Sequence, residues 1–269
     1  MEITGSTTVF AIAADPIAHV KTPQRLNALL RERGIDAVMV PFHVAAAGLP
    51  GLPGLFAGLR GLANLGGLVV TVPHKESAAA LCDALTPAAE LIGAVNAVRL
   101  RDGCLTGGNF DGLGFVAGLR GQGHEPAGRH VYLAGLGGAG KAIACAIAEA
   151  GPASLRLYNR SPGKAEAFAE RLARHYPGLA ISVAGPRPEP CDIAINATTL
   201  GLDDNDPLPF SLDALAPGAV VADAVMSRVD TPLLRAAAAR GCRTHPGLYM
   251  LEGQLTEIAR FLGIEEPHS

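Results

Sequence analysis

The segment Gly135-Leu136-Gly137-Gly138-Ala139-Gly140 carries the spacing GxGxxG between an apolar run, Val131-Tyr132-Leu133-Ala134, and an Ala-rich stretch from Lys141 to Ala150. That context suits a dinucleotide. The first glycine allows a tight turn, the second lets backbone approach a pyrophosphate, and the third lets a helix pack closely on a strand; the helix N-terminus then faces the phosphates. A merely glycine-rich connection would not need strand, turn and helix in this order. An NAD-binding unit places an Asp or Glu about 20 residues further on, to accept from the ribose 2′-hydroxyl. Here the next apolar run, Leu155-Arg156-Leu157-Tyr158, ends in Asn159-Arg160-Ser161. Arg160 offers a planar cation with several donors, and Asn159 and Ser161 could complete a shell around a 2′-phosphate, so NADP is expected in preference to NAD. A second chemically capable group is Lys75, in Thr71-Val72-Pro73-His74-Lys75-Glu76, just past a strand closed by proline. At the carboxyl edge of an α/β sheet such a lysine could transfer protons, although a solvated charge is its commoner use.

The elements that must position these groups are legible as periodicities. Thr8 to Ala13 reads as a buried strand, and Thr22-Pro23-Gln24 opens a helix with Leu26, Leu29 and Leu30 on one face, stopped by Gly34. Residues 38–42 and 67–72 are two further strands, with a loose-ended helix between Gly48 and Gly67, so a βαβα order and a mostly parallel sheet are expected. From His130 the rhythm restarts, and Ile193–Ile195 and Ala219–Ala222 add strands to a second α/β unit over residues 108–244. A final helix runs from Met250 to Leu262. The expected fold is α/β in two domains: an N-terminal α/β substrate lobe, residues 1–107, completed by the C-terminal segment 245–269, and a Rossmann-type NADP-binding domain, with an active-site cleft between them.

Composition excludes several functions. With a net charge of −3 and no basic cluster, the chain lacks the field that attracts nucleic acid. Its apolar runs are too short to span a bilayer, and the N-terminus shows no secretory signal, so a cytoplasmic protein without a membrane partner is expected. The five cysteines are scattered, form no CxxC pair and are expected to be small buried packing residues. The eight histidines show no HxxxH or HExxH spacing, so no metal is implied.

Taken together the motifs resemble the shikimate dehydrogenase family. The resemblance is carried, in order, by Pro16-Ile17-Ala18-His19-Val20-Lys21-Thr22-Pro23, Val70-Thr71-Val72-Pro73-His74-Lys75-Glu76, Gly93-Ala94-Val95-Asn96, Asn109-Phe110-Asp111-Gly112, and Gly247-Leu248-Tyr249-Met250-Leu251-Glu252-Gly253-Gln254. The glycine turn, Asn159-Arg160-Ser161 and Ile195-Asn196-Ala197-Thr198 match the family's cofactor half. The resemblance implies reversible, NADP-linked reduction of a cyclic keto acid such as 3-dehydroshikimate, by a monomer or homodimer. It places Lys75 and Asp111 at the reacting carbonyl, Thr71, Asn96 and Gln254 at the ring, and Asn196 and Thr198 with the cofactor. Such a pair makes chemical sense: hydride arrival builds charge on oxygen, which an ammonium neutralises and protonates while a carboxylate orients it.

Five positions depart from the family pattern. Val20 and Thr22 stand where typical members have two serines that bind the substrate carboxylate, and Met226 stands where a tyrosine is usual. Val69 replaces an asparagine, and Phe110 a threonine. Two lost donors to a charged group correspond to roughly 3–6 kcal/mol. Either another group compensates or the substrate differs around the carboxylate, as in quinate, an aminoshikimate or another cyclic polyol acid. A non-catalytic NADP-binding sensor on the same fold is the alternative from another class.

Overall fold

Successive side chains of strand β1 (Thr8–Ala14) face opposite sides of a sheet, and both sides are apolar: Phe10 and Ile12 enter one core, Ala11 and Ala13 the other. The computed structural model describes residues 2–18, 20–47 and 51–264. Its chain divides into one unit of Met1–Phe110 with Leu255–Ser269 and a second of Asp111–Gln254, each containing a six-stranded sheet.

In the first unit β1 is followed by α1 (Thr22–Glu32), β2 (Ala37–His43), α2 (Gly51–Leu59), β3 (Leu65–Val70), α3 (Lys75–Ala79), β4 (Ala84–Leu85), α4 (Pro87–Ile92), β5 (Ala97–Arg101) and β6 (Cys104–Gly108). The strand order is β2-β1-β3-β5-β6-β4. Leu52, Phe56 and Leu59 of α2 cover one face, and Leu26 and Leu30 of α1 cover the other together with Ile258, Ala259 and Leu262 near the chain's end. The sheet is mostly parallel, as expected from the periodicity, with β1 parallel to β2 and β3 and β4 parallel to β6, but β3–β5 and β5–β6 are antiparallel. β5 and β6 form a hairpin turning at Asp102 and Gly103, both at positive φ (51° and 75°), which an Asp-Gly pair tolerates. β3 also ends at Val70 rather than residue 72, where the ladder gives way to a turn in which His74 N donates to Thr71 O at 2.9 Å. Residues 48–50 of the expected helix, and 265–269 of the expected C-terminal segment, lie outside the described residues.

The second unit contains α5 (Asp111–Gly121), β7 (His130–Ala134), α6 (Gly138–Glu149), β8 (Ser154–Tyr158), α7 (Pro162–His175), β9 (Ala180–Val183), β10 (Ile193–Asn196), β11 (Val220–Asp223), α8 (Pro232–Ala239), β12 (Arg243–His245) and the start of α9 (Leu248–Phe261), which ends in the first unit. Every strand pair is parallel, in the order β9-β8-β7-β10-β11-β12. The order reverses between β7 and β10, and in open α/β sheets ligands bind outside the carboxyl ends of the strands at such a reversal. Cys145, Cys191 and Cys242 are buried as expected, but Cys104 is exposed on the hairpin and Cys82 half-buried. No helix among the described residues is long and apolar enough to cross a membrane.

Candidate active site

In the first unit the sequence blocks converge through backbone and amide hydrogen bonds. Lys75, the first residue of α3, is buried, and its carbonyl accepts from Val95 N at 2.9 Å. Preceding it, His74 is buried with Nε2 at 2.7 Å from Val44 O. Asn96 is also buried; its backbone accepts from Val70 N and its Oδ1 accepts from Phe110 N at 3.0 Å. Asn109 Nδ2 donates to Ala94 O at 3.1 Å. The blocks holding Thr71 and Lys75, Asn96, and Asn109-Phe110 are therefore one hydrogen-bonded assembly at the ends of β3, β5 and β6. Thr71 is half-buried and anchored by its N–H to Ala13 O at 3.0 Å. Val20 and Thr22 flank the start of α1, and Val20 packs against the apolar core.

The second unit holds the remaining site residues. Asp111 begins α5 with its side chain buried at 1% exposure, next in the chain after the residue that Asn96 restrains. A helix N-terminus favours a negative charge there. Gln254 is buried on α9, with Nε2 at 3.6 Å from the thioether of half-buried Met226.

The glycine turn supports a pyrophosphate-binding role position by position. Gly135 has φ of 99°, and a Cβ there would lie 2.7 Å from the backbone of Ala197 and Thr198. A Cβ on Gly140 would run into the Gly135 carbonyl. These two glycines are required by the protein's own packing. Gly137, which caps α6 in an extended conformation, has open space where a Cβ would be, so no protein atom demands a glycine there. Gly138 and Ala139 form the first turn of α6, which starts three residues earlier than its Ala-rich run suggests.

At the end of β8, Arg160 and Ser161 are exposed, and Arg160 has no hydrogen-bond or ion-pair partner among the described residues. Asn159 has a role the sequence did not disclose: Oδ1 accepts from Leu136 N at 3.1 Å and Nδ2 donates to Ser161 O at 3.2 Å, bracing the glycine turn against the Arg160 loop. Asn196 is fully buried at the end of β10. Its Nδ2 donates to Leu200 O and Asp223 Oδ1, and its Oδ1 accepts from Thr198 N and Thr198 Oγ1. With two donors and two acceptor sites engaged, the amide has no capacity left for a ligand. Thr198 is similarly committed, its Oγ1 also accepting from Leu200 N at 3.1 Å. Both side chains shape the loop after β10. Burial pushes the Asp223 carboxyl above its ordinary range, against the pull of Thr231, Val225 N and Asn196. Neither Asp223 nor Thr231 stood out as a site residue in the sequence; the Thr231-Pro232 helix start was the available signal.

Residues 12–98 match the family model described as the shikimate dehydrogenase substrate binding domain. The shikimate dehydrogenase (NADP(+)) of Rubrobacter xylanophilus is 42% identical, over 96% of this chain and 91% of that protein. The chain belongs to the shikimate dehydrogenase family. Among solved structures, shikimate 5-dehydrogenase from Thermus thermophilus, in complex with NADP(H) and shikimate, aligns with a TM-score of 0.85 at 31% identity, covering 97% of this chain and 95% of that one. The 5-ketofructose reductase of Gluconobacter sp. strain CHM43 aligns with a TM-score of 0.86 at 31% identity, with the same coverage. Within a shikimate dehydrogenase fold, two of the departures acquire a structural reason. Val69 is a buried core residue of β3, and the Phe110 ring packs on Phe261 at 5.0 Å between centroids.

Proposed function

We propose that this chain catalyses the reversible, NADP-dependent oxidation of shikimate to its 3-keto form, with residues 1–107 and the C-terminal segment binding substrate and residues 108–244 binding NADP. The observation that carries the cofactor part is the glycine turn at the β7/β10 reversal, with Gly137 open to approach and Arg160 free at the end of β8. The cofactor supplies and accepts hydride. The protein's work is electrostatic and positional: Lys75 stabilises and protonates the oxyanion, Asp111 orients the lysine and the neighbouring hydroxyl, and Thr71, Asn96 and Gln254 hold the ring. Buried positions for Lys75 and Asp111 support this, because charges act more strongly away from water. The name carried by the relative from Rubrobacter xylanophilus supports the substrate and cofactor together.

A second reading concerns the acid end of the substrate. Val20 lies against the apolar core and Met226 presents sulfur to Gln254, so neither offers a hydrogen-bond donor. A relative at 31% identity is named for 5-ketofructose, which carries no carboxylate. These two observations support relaxed specificity towards uncharged polyol ketones. Steady-state kinetics test both readings: oxidation of shikimate, quinate and an aminoshikimate with NADP and with NAD, and reduction of 5-ketofructose with NADPH and with NADH. NADP binding without turnover of any of them would leave a sensor on an enzyme's fold.

A further inference from the structure

Asp223 closes β11 and is wholly buried in the second unit. Its Oδ1 accepts from Asn196 Nδ2 and from Val225 N, each at 3.0 Å, and its Oδ2 accepts from Thr231 Oγ1 at 2.7 Å. Thr231 Oγ1 in turn accepts from Leu234 N at 3.3 Å, capping α8. Ala224 N donates to Asn196 O at 2.8 Å, a second tie between the ends of β10 and β11. One carboxylate thus joins three segments distant in sequence: the loop after β10, the turn after β11 and the start of α8.

The turn after β11 leads directly to Met226, whose sulfur meets Gln254 Nε2. Gly247, just before α9, packs so closely on this turn that a Cβ there would lie 2.6 Å from Val225 O and 2.8 Å from Asp223 O. The helix carrying Gln254 therefore starts against the backbone that Asp223 holds. On the other branch, Gly201, at φ of 106°, passes 3.7 Å from Asp223 Oδ2 where a Cβ would be, so the loop after β10 folds over the carboxylate.

We propose that Asp223 is a positioning residue that fixes, from one buried group, both the Ala197–Gly201 loop on the cofactor side and the Met226–Gln254 pair on the substrate side of the second unit. This rests on the functional reading above, in which the loop after β10 borders NADP and Gln254 holds the ring. The physical reason is directionality. An apolar residue of the same shape would fill the space, but only an acceptor with several lone pairs aligns an amide, a backbone N–H and a hydroxyl at once. Each bond restrains a different segment, so loss of the group loosens both sides together.

The test compares wild type with Asp223→Asn, Thr231→Val and Thr231→Ser. Asp223→Asn keeps the shape but turns an N–H donor towards the Thr231 hydroxyl, which already accepts from Leu234 N and then has no acceptor for its own proton. Thr231→Val breaks the same bond from the other side, and Thr231→Ser keeps it. The dissociation constant for NADP is measured by calorimetry without substrate, beside the KM for shikimate and the melting temperature. Asp223→Asn and Thr231→Val are each expected to raise both constants about tenfold, the loss of one hydrogen bond to a charged group, while Thr231→Ser stays close to wild type. Lowered melting with both constants unchanged would make the network merely structural and overturn the proposal. So would a change confined to one constant. If wild type binds NADP but does not oxidise shikimate, the functional reading fails by itself, and the calorimetric comparison still decides whether Asp223 governs the cofactor side.

Discussion

His245 should make the protein's stability fall in mild acid. It closes β12, is fully buried, and both ring nitrogens lack a hydrogen-bond partner among the described residues. Phe115, Tyr249 and His124 surround it, with ring centroids 5.8, 5.2 and 5.8 Å away. Burial, and secondarily the neighbouring His124, push its pKa down from 6.5 to about 4. The unfolded chain therefore binds a proton below pH 6.5 that the folded chain refuses until about pH 4. Stability is greatest above 6.5, declines as pH falls through that window, and levels off below it. At 1.36 kcal/mol per pKa unit the full loss is about 3 kcal/mol, of which about 2 kcal/mol is gone at pH 5.

Replacement of His245 by leucine isolates this contribution. The new side chain is apolar and of similar size, and it removes two unpaired buried nitrogens, so at pH 7 the variant should lie within about 1.5 kcal/mol of wild type. Urea unfolding at pH 7, 6 and 5 gives the difference between the two proteins at each pH. That difference should shift by about 2 kcal/mol in favour of the variant between pH 7 and 5. Asp223, whose raised pKa acts in the opposite sense, is common to both proteins and cancels. A pH-independent difference would refute the reasoning, because it would mean that the His245 ring either reaches solvent or has a partner that accepts its charge.

Four further outcomes are expected. Arg160→Ala should raise the KM for NADP far more than that for NAD, and an equal change in both would refute the 2′-phosphate assignment. Lys75→Ala should lower kcat roughly 10²–10⁴-fold with NADP affinity intact; near-normal turnover would remove Lys75 from the mechanism. Gly140→Ala should lower the melting temperature, since its methyl would meet the Gly135 carbonyl, whereas Gly137→Ala should melt as wild type yet bind NADP more weakly; unchanged NADP affinity in Gly137→Ala would place the pyrophosphate elsewhere. Val20→Ser with Met226→Tyr should lower the KM for shikimate but not for 5-ketofructose, with little change in kcat, and a wild type already saturated at low shikimate would show that another donor serves the carboxylate.

The features legible in the sequence are those whose chemistry is local. GxGxxG announces itself because all three glycines serve one turn, and β1 and β7 do so because alternation or a continuous apolar run is written along a few residues. The β5–β6 hairpin is equally local, with Asp102-Gly103 at its tip, although no strand is read there from the sequence. Asp223 is different in kind. Its partners lie 27, 2 and 8 residues away, and no periodicity links them. For the same reason the hydrogen bonds between Asn196 and Thr198 that shape the loop after β10 are not written in the sequence.

The departures from the family pattern show the converse. Read along the chain, valine for asparagine at 69 and phenylalanine for threonine at 110 are losses of polar groups. In the folded unit Val69 sits in the core formed by Phe10, Ile12 and Leu262, while the Phe110 ring packs at a tilt against Phe261, whose ring also carries the Arg99 guanidinium at 5.3 Å. Burying such apolar area contributes about 25 cal/mol per Å², so these substitutions can be kept for stability without any change of substrate. Val20 shares that core, but Met226 does not: it touches Gln254, which the proposed function puts at the ring. A change in specificity should therefore trace first to Met226, the one departure whose side chain meets a polar group of the candidate site among the described residues.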